Sequence, residues 1–144
     1  MEKVKLEKES VSGNIKLINC SIKYWDFIRK LRNKNIGFVQ QVKITHYQQI
    51  LYMKNHNKDY KVCILNNIPV GFIGEVDFDL RLAVHERYQN KGVAKYMLNN
   101  FKSKKHTIGK VKKDNIHSKS LFISCGWKLS DKIGDNYYYY ENGK

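Results

Sequence analysis

The chain has 144 residues, a formal net charge of +14 and a hydrophobic fraction of 42%. This size and apolar content are typical of one globular domain over residues 1–144 with a core of ordinary size. No apolar run approaches the roughly 18 residues that a membrane-spanning helix needs, and we therefore expect no membrane partner.

The charge and the cysteines bear on partners and compartment. The first eight residues lack the apolar centre of a signal peptide, and the three cysteines are widely spaced. We therefore expect a cytoplasmic protein with reduced, buried thiols. The basic residues would suit a nucleic-acid partner, but they are spread along the chain, so nucleic acid is not favoured. The five histidines lack the spacing of zinc ligands, and no metal site is predicted.

The N-terminal segment is charged, and residues 1–13 predict either an edge strand or a mobile tail. A short strand is predicted over residues 15–20. Ser21 is a good N-cap residue, and it predicts the start of a first helix over residues 22–33. An irregular stretch, residues 34–43, follows this helix.

A second helix is predicted to begin after Thr45, because Gln48 stands at the capping-box spacing. Its predicted apolar side consists of Ile44, Tyr47, Ile50 and Leu51. The helical pattern fades near residues 56–57.

A β-hairpin is predicted next, with strands at residues 60–65 and 70–76 around the turn pair Asn66-Asn67. Gly71 and Gly74 lie within the returning strand. They indicate close packing or a bulge at that point.

The most informative stretch runs from Asp79 to Phe101. Residues 79–84 alternate, with Leu80, Leu82 and Val84 on one face and Asp79, Arg81 and Ala83 on the other, which predicts a strand. Residues 93–101 have the apolar spacing of a helix. The join contains Gly92, which permits a positive φ and a close approach to the backbone. Such a strand–turn–helix join presents backbone N–H groups to an anion.

The C-terminal part is predicted to hold a strand at residues 107–112 and a helix opened by residues 114–115. Ser118, Leu121, Phe122 and Cys125 share one face of this helix, and Gly126 ends it. Further strands are predicted from Trp127 and over residues 137–140.

Two motifs make a resemblance to a known family. One motif resembles the acetyl-CoA pyrophosphate loop of GNAT-family N-acetyltransferases, which reads Gln/Arg-x-x-Gly-x-Gly/Ala. It is the segment Gln89-Asn90-Lys91-Gly92-Val93-Ala94, which begins after the four residues that follow Val84. The spacing of Asn115, Ser118, Phe122 and Gly126-Trp127 resembles the second signature of that family. With the order of the predicted elements, the resemblance covers nearly the whole chain from Ile15.

The resemblance implies an α/β (α+β) fold. Its central mixed sheet would have about six or seven mostly antiparallel strands, splayed between strands 4 and 5, with about four flanking helices. Acetyl-CoA would be the cofactor, bound in the gap between the splayed strands. The residues implied to contact it are Leu82, Ala83, Val84, Gln89, Asn90, Lys91, Gly92, Val93, Ala94, Lys95, Asn115, Ser118 and Phe122.

The resemblance also implies the catalytic groups. The N–H group of Val84 would stabilise the oxyanion, and Asp79 is the first choice of general base, with Asp77 and Glu75 as alternatives. Asp79 could equally be an ordinary acid at the end of a strand, or form a salt bridge with Arg81. Family members commonly carry a tyrosine at the position of Phe122 as general acid, and phenylalanine has no proton to give. Three possibilities stay open: the thiolate leaves without assistance, a tyrosine of residues 137–140 acts as the general acid instead, or activity is lost.

The implied reaction is acetylation of a primary amine of a small molecule. Arg32, Asn33 and Phe38, with the Ile44-to-Tyr52 pattern, resemble family members that act on amino-sugars of sugar nucleotides and some phage-encoded relatives. These three residues would line the acceptor pocket, although Arg32 and Asn33 could equally only close the first helix. Two alternatives remain: acetylation of a macromolecular amine, such as aminoacyl-tRNA, a ribosomal protein or nucleic acid, and a catalytically weak CoA-binding module. The chain could be a monomer or a homodimer.

Overall fold

The computed structural model describes residues 4–6, 9–11, 13–34, 42–134 and 136–142. Within them the chain forms nine strands and four α-helices. The strands are β1 (Val4–Leu6), β2 (Glu9–Val11), β3 (Ile15–Asn19), β4 (Tyr60–Leu65), β5 (Ile68–Val76), β6 (Asp79–Val84), β7 (Ile108–Lys112), β8 (Trp127–Ile133) and β9 (Tyr137–Asn142). The helices are α1 (Trp25–Lys34), α2 (His46–His56), α3 (Val93–Asn100) and α4 (Ile116–Ser124), and short 3₁₀ turns cover Ile22–Tyr24, Asn57–Asp59 and Glu86–Tyr88.

Seven strands form one mixed sheet in the order β3-β4-β5-β6-β7-β9-β8. Only the β6–β7 pair is parallel among the strands described, and the other neighbours are antiparallel. The predicted fold class is therefore confirmed. Near the N-terminus, β1 and β2 pair with each other in a separate two-stranded sheet.

Both hairpin turns of the β4–β5–β6 meander use residues with positive φ. Asn66 and Asn67 have φ of 51° and 69°, as the predicted turn requires, and Asp77 and Phe78 have φ of 52° and 63°. The second turn contains no glycine that would have indicated it in the sequence. It makes Asp79 the first residue of β6, paired with Val76.

Gly71 and Gly74 lie where the sequence indicated close packing. A Cβ atom on Gly74 would stand 2.4 Å from the ring of Tyr60, and one on Gly71 would stand 2.9 Å from the carbonyl oxygen of Ala83. The β4–β5 register also shifts between Cys63 and Ile64. Both predicted features, close packing and a bulge, are present.

Two hydrophobic cores lie on opposite faces of the sheet. The first joins α3 and α4 to the sheet, with Met97 and Phe122 at its centre. The second joins α1 and α2 to the other face, through Ile28, Met53 and Ala83 among others. Because side chains alternate along β6, Asp79 and Arg81 share the α1–α2 face with Ala83. The three cysteines are buried and not disulfide-bonded, as predicted.

The predicted apolar side of the second helix was wrong. Tyr47 is 70% exposed, and Ile50 and Leu51 are also exposed. The buried face instead carries Gln49 and Met53, and the Gln49 amide donates a hydrogen bond of 2.7 Å to the carbonyl of Trp25. A buried glutamine whose NH₂ group is hydrogen-bonded can therefore take the core-facing position that the hydrophobic pattern assigned elsewhere, even though its Oε1 has no hydrogen-bond partner among the described residues.

The helix ends test the predicted caps. Thr45 and Gln48 form the full capping box, with hydrogen bonds of 3.1 and 2.9 Å. Gly126 has φ of 86° directly after α4, as expected for the residue that ends a helix. Ser21 is the N-cap residue of the first 3₁₀ turn, as predicted, but its side chain makes no capping hydrogen bond. No helix in the described ranges is long and apolar enough to cross a membrane.

Candidate functional site

The parallel strands β6 and β7 separate soon after they meet. Among the described residues they are paired only at Asp79 and Ile108, where the N–H of Ile108 donates to the carbonyl of Phe78 at 2.7 Å. Beyond that point each strand continues for several residues without a β-bridge to the other. A wedge-shaped gap therefore opens in the sheet, with its closed end at Asp79.

The pairing of β6 with β5 determines which backbone groups face this gap. The N–H of His85 donates to the carbonyl of Val70 at 2.8 Å, which makes Val84 and Gly71 a non-hydrogen-bonded pair. The N–H and C=O groups of Val84, and by alternation those of Leu82, therefore point away from β5 and towards the gap. The groups of Ala83 point to β5 instead, and its side chain lies in the α1–α2 core.

The turn after β6 ends in a run of unpaired amides. Gly92 is the N-cap of α3 with φ of 86°, and Asn90 also has a positive φ of 61°. The first helical hydrogen bond runs from the N–H of Tyr96 to the carbonyl of Gly92. Within the described part of the chain, the N–H groups of residues 90–94 make no hydrogen bond of good geometry to another residue. These amides and the helix dipole form an anion-binding end.

Side chains around this turn add positive charge and hold its shape. Lys91 and Arg87 are exposed, Lys95 is partly buried, and the first turn of α3 contains no acid. The Gln89 amide donates a hydrogen bond of 3.1 Å to the carbonyl of Val84, which connects the turn to the end of β6. Glu86, farther back, is bound to Lys34 of α1 at 3.1 Å.

Helix α4 begins at the same edge of the sheet, because β6 and β7 run in the same direction. Asn115 caps this helix, and its Oδ1 accepts a 3.1 Å hydrogen bond from the N–H of Ser118. Ser118 takes part through its backbone in the cap.

Phe122 lies below β7 in the core and not in the gap. It is 5% exposed, stacks on Tyr140 at 5.5 Å and meets Trp127 edge-on at 5.1 Å. A Cβ atom on Gly109 would lie 2.5 Å from its ring. The structure therefore gives Phe122 a packing position.

The three candidate bases have different surroundings. Glu75 accepts hydrogen bonds from Thr107 Oγ1 at 2.7 Å and from the N–H of Lys104 at 3.1 Å. Asp77 lies within the hairpin turn. Asp79 lies at the closed end of the gap with its side chain 49% exposed, and its carboxylate is 3.4 Å from Arg81 Nη2.

The predicted acceptor residues separate into two roles. The Asn33 amide makes paired hydrogen bonds with the backbone of Ile44, 2.9 Å to its carbonyl and 2.7 Å from its N–H, so it joins α1 to the segment before α2. Arg32 is 5% exposed and faces the sheet. Phe38 lies outside the described residues.

Arg32 belongs to a group of four side chains from four elements, which we call the arginine–tyrosine cluster: Arg32 of α1, Tyr52 of α2, Tyr60 of β4 and Arg81 of β6. The guanidinium of Arg32 lies over the ring of Tyr52 at 4.9 Å, and the hydroxyls of Tyr52 and Tyr60 are 2.8 Å apart. Burial raises the pKa of Tyr60 far above its usual range and lowers the pKa of Arg32. The cluster adjoins Asp79 through Arg81.

Sequence reasoning missed three members of this cluster. Arg81 carried a usable signal, because it alternates with Asp79 on one face of a strand. Tyr52 and Tyr60 carried none, because their proximity depends on how α2 packs against β4. Within the described residues there is no group of three or more His, Cys, Asp or Glu side chains that could hold a metal ion.

Comparisons with known proteins add to this geometry. No protein-family model and no curated protein matches the sequence. Solved structures do match over most of the chain. An acetyltransferase of the GNAT family from Bacillus cereus is 17% identical, with a TM-score of 0.67 over 92% of this chain and 99% of that one. This chain has the GNAT fold.

Two other structures with the GNAT fold were solved with ligands. The protein yncA of Salmonella typhimurium, solved with its cofactor acetyl-CoA, is 11% identical and has a TM-score of 0.75 over 90% of this chain and 93% of that one. Spermidine N-acetyltransferase from Vibrio cholerae, in complex with CoA and spermine, is 16% identical and has a TM-score of 0.64 over 88% and 92%.

Proposed function

We propose that this protein is an acetyl-CoA-dependent N-acetyltransferase that acetylates a primary amine of a small molecule. The observation that carries the proposal is the run of unpaired amides at residues 90–94, placed at the open end of the gap between β6 and β7. A diphosphate matches these amides in charge and in hydrogen-bonding needs. Proteins with the same fold hold acetyl-CoA or CoA.

The residues present suit the diphosphate and the amide-bearing arm of that cofactor. The amides of residues 90–94 would hold the diphosphate, with Lys91 and Arg87 adding charge. The outward backbone groups of Leu82 and Val84 would pair with the amide-bearing arm as an added strand would. The amide nitrogen of Asn115 would reach the arm from the facing helix. Ala83 and Phe122 have no part in this arrangement, because one faces β5 and the other is buried in the core.

Bound acetyl-CoA would supply an activated thioester, whose C–S bond breaks as the amine nitrogen forms the new C–N bond. The chain must then stabilise an oxyanion and accept the proton that leaves the amine. The N–H of Leu82 is the better placed donor, because it lies about 10 Å along the strand from Asp79, whereas Val84 is about 16 Å away. Asp79 would take the proton directly or through one water.

The thiolate would leave without a general acid from Phe122. A CoA thiolate is stable enough as a leaving group to depart alone, and a proton from solvent restores the thiol. The balance is one acetylated amine and one free CoA thiol for each acetyl-CoA and amine consumed.

The acceptor class is a finer part of the proposal. Amino-sugars, including those of sugar nucleotides, are one candidate, supported by the sequence pattern around Arg32 and Asn33. The position of Asp79 and Arg81 on the α1–α2 face supports acceptor entry from that side. The cofactor would then enter from the open edge near α3 and α4.

Two measurements test the proposal. Acetyl-CoA is titrated in a thermal-unfolding assay, and free thiol is then recorded with a panel of primary amines. We expect saturable stabilisation and amine-dependent thiol release. Asp79→Asn should lower kcat by about 10²- to 10⁴-fold with little change in acetyl-CoA binding, and Asp131→Asn, an exposed acid of β8, is the matched control.

The outcomes separate the alternatives. Absence of stabilisation at millimolar acetyl-CoA would contradict the cofactor assignment. Stabilisation without thiol release over the whole panel would favour a CoA-binding module over an enzyme. Equal loss of activity in Asp79→Asn and Asp131→Asn would remove Asp79 as the base.

A further inference from the structure

In the arginine–tyrosine cluster, some guanidinium N–H groups have no hydrogen-bond partner among the described residues. Arg32 Nε, Arg32 Nη1 and Arg81 Nε are three of the four buried side-chain polar atoms that lack a hydrogen-bond partner in the described part of the chain. Arg32 itself is only 5% exposed. A buried guanidinium with unsatisfied N–H groups is costly, and such groups in native proteins ordinarily have a partner.

Among the described residues, no carboxylate forms an ion pair with Arg32. Asp26, the acid of α1, is bound to Arg29 at 2.8 Å and to Lys30 at 3.3 Å. Asp79 is bound to Arg81 Nη2. The segment between α1 and Val42, residues 35–41, contains no acid in its sequence. The ring of Tyr52 gives Arg32 a cation–π contact but leaves those N–H groups unused.

The two tyrosines complete a set of donors. Burial raises the pKa of Tyr60, so its hydroxyl stays neutral at physiological pH and can donate a hydrogen bond. The Tyr52 and Tyr60 hydroxyls share one hydrogen bond, which leaves one hydroxyl proton for a further acceptor. Two guanidiniums and one acid, Asp79, give this end of the cluster a net positive charge.

We propose that the cluster binds an oxyanion of the acceptor, which is therefore a primary amine that also carries a carboxylate or a phosphate. This rests on the proposed function, because it assigns the acceptor side of the same site. The oxyanion would pair with the N–H groups of Arg32 and Arg81. The amino group would lie towards Asp79, at the closed end of the gap where the acetyl group is expected. A polyamine, by contrast, would place a second ammonium group next to the two guanidinium groups, which carry the same charge.

The first test measures the anion site without any turnover. Thermal unfolding is followed against inorganic phosphate and, separately, acetate at constant ionic strength, with CoA added to occupy the amides of residues 90–94. We expect saturable stabilisation that weakens at least tenfold in Arg32→Gln and Arg81→Gln. Lys30→Gln, an exposed cation on α1, should behave as wild type. Unchanged anion dependence in both arginine variants would overturn the proposal.

A stability measurement separates a binding arginine from a structural one. Arg32→Met keeps the unbranched apolar stem of the side chain and removes the unsatisfied charge, so we expect the unliganded variant to have a higher Tm than wild type. A lower Tm together with retained anion stabilisation would show a structural arginine and would overturn the proposal.

The second test measures acceptor preference with 2-aminoethyl phosphate, β-alanine, propylamine and spermidine. We expect kcat/KM for at least one of the two anionic amines to exceed that for propylamine by about 100-fold, and the better one identifies the oxyanion. Arg32→Gln should abolish the preference by raising KM. Equal rates, or spermidine as the best acceptor, would overturn the proposal. If CoA does not bind at all, the proposed function fails, whereas the anion titration repeated without CoA still decides the present inference.

Discussion

Gly92 and Gly126 provide a matched pair of substitutions for the anion-binding turn. Both residues have φ of 86°, one at the N-terminus of α3 and the other after the C-terminus of α4. An L-residue in this left-handed conformation costs about 1–2 kcal/mol relative to glycine. We therefore expect Gly92→Ala and Gly126→Ala to lose similar stability, with Tm lowered by roughly 3–10 °C in each for a domain of this size.

The two variants should differ in cofactor binding. Relaxing the strain at Gly92 moves the amides of residues 90–94, and one lost hydrogen bond to a charged oxygen is worth about 1.5–3 kcal/mol. That corresponds to a roughly 10- to 100-fold weaker Kd for CoA. Gly126→Ala has the same strain but lies away from the turn, so its Kd should match wild type.

The assay is CoA titration by calorimetry, with the Tm of each unliganded variant measured in parallel. Comparable losses of Tm with a selective loss of CoA affinity in Gly92→Ala would support the reasoning. Equal CoA affinity in both variants would refute it, because the glycine turn would then have no part in binding.

Three further predictions concern the fold and its thiols. Gly74→Ala should destabilise the protein by about 1–3 kcal/mol in denaturant unfolding, because the added Cβ would lie 2.4 Å from the ring of Tyr60; an unchanged unfolding midpoint would contradict the packing described. Thr45→Ala removes the capping box of α2 and should cost about 1 kcal/mol, whereas a change below about 0.3 kcal/mol would show that the cap adds little. Burial raises the pKa of the Cys63 thiol from 9.0 to about 12, and a raised folded-state pKa gives stability that is present below the unfolded pKa and lost above it. The free energy of unfolding should therefore fall between pH 9 and pH 12. If the free energy of unfolding of Cys63→Ala falls as steeply over this range as that of wild type, Cys63 is not the source of the pH dependence.

Local patterns allowed the strand–turn–helix of residues 79–101 to be predicted from sequence. The alternation along β6, the glycine before α3 and the capping box of Thr45 each depend on residues close in sequence. The gap between β6 and β7 was predicted from the family resemblance, since no local pattern encodes a gap between strands.

Longer-range packing explains what could not be predicted. The predicted face of α2 was wrong because Gln49 donates a hydrogen bond to the carbonyl of Trp25, a contact that the hydrophobic pattern does not encode. Likewise, the arginine–tyrosine cluster depends on four elements meeting, and the sequence indicated only Arg32 among its members. Phe122 was placed by its motif position, whereas packing against Gly109 and Tyr140 determines where it lies.

If the backbone of β6 and the turn after it hold CoA, amide chemical shifts recorded during a CoA titration will show it residue by residue. We expect large shifts for the N–H groups of Leu82, Val84 and residues 90–94, which face the gap or lack a partner, and a much smaller shift for Ala83, which is bonded to β5. Shifts confined to other residues, or equal shifts at positions 82, 83 and 84, would contradict it.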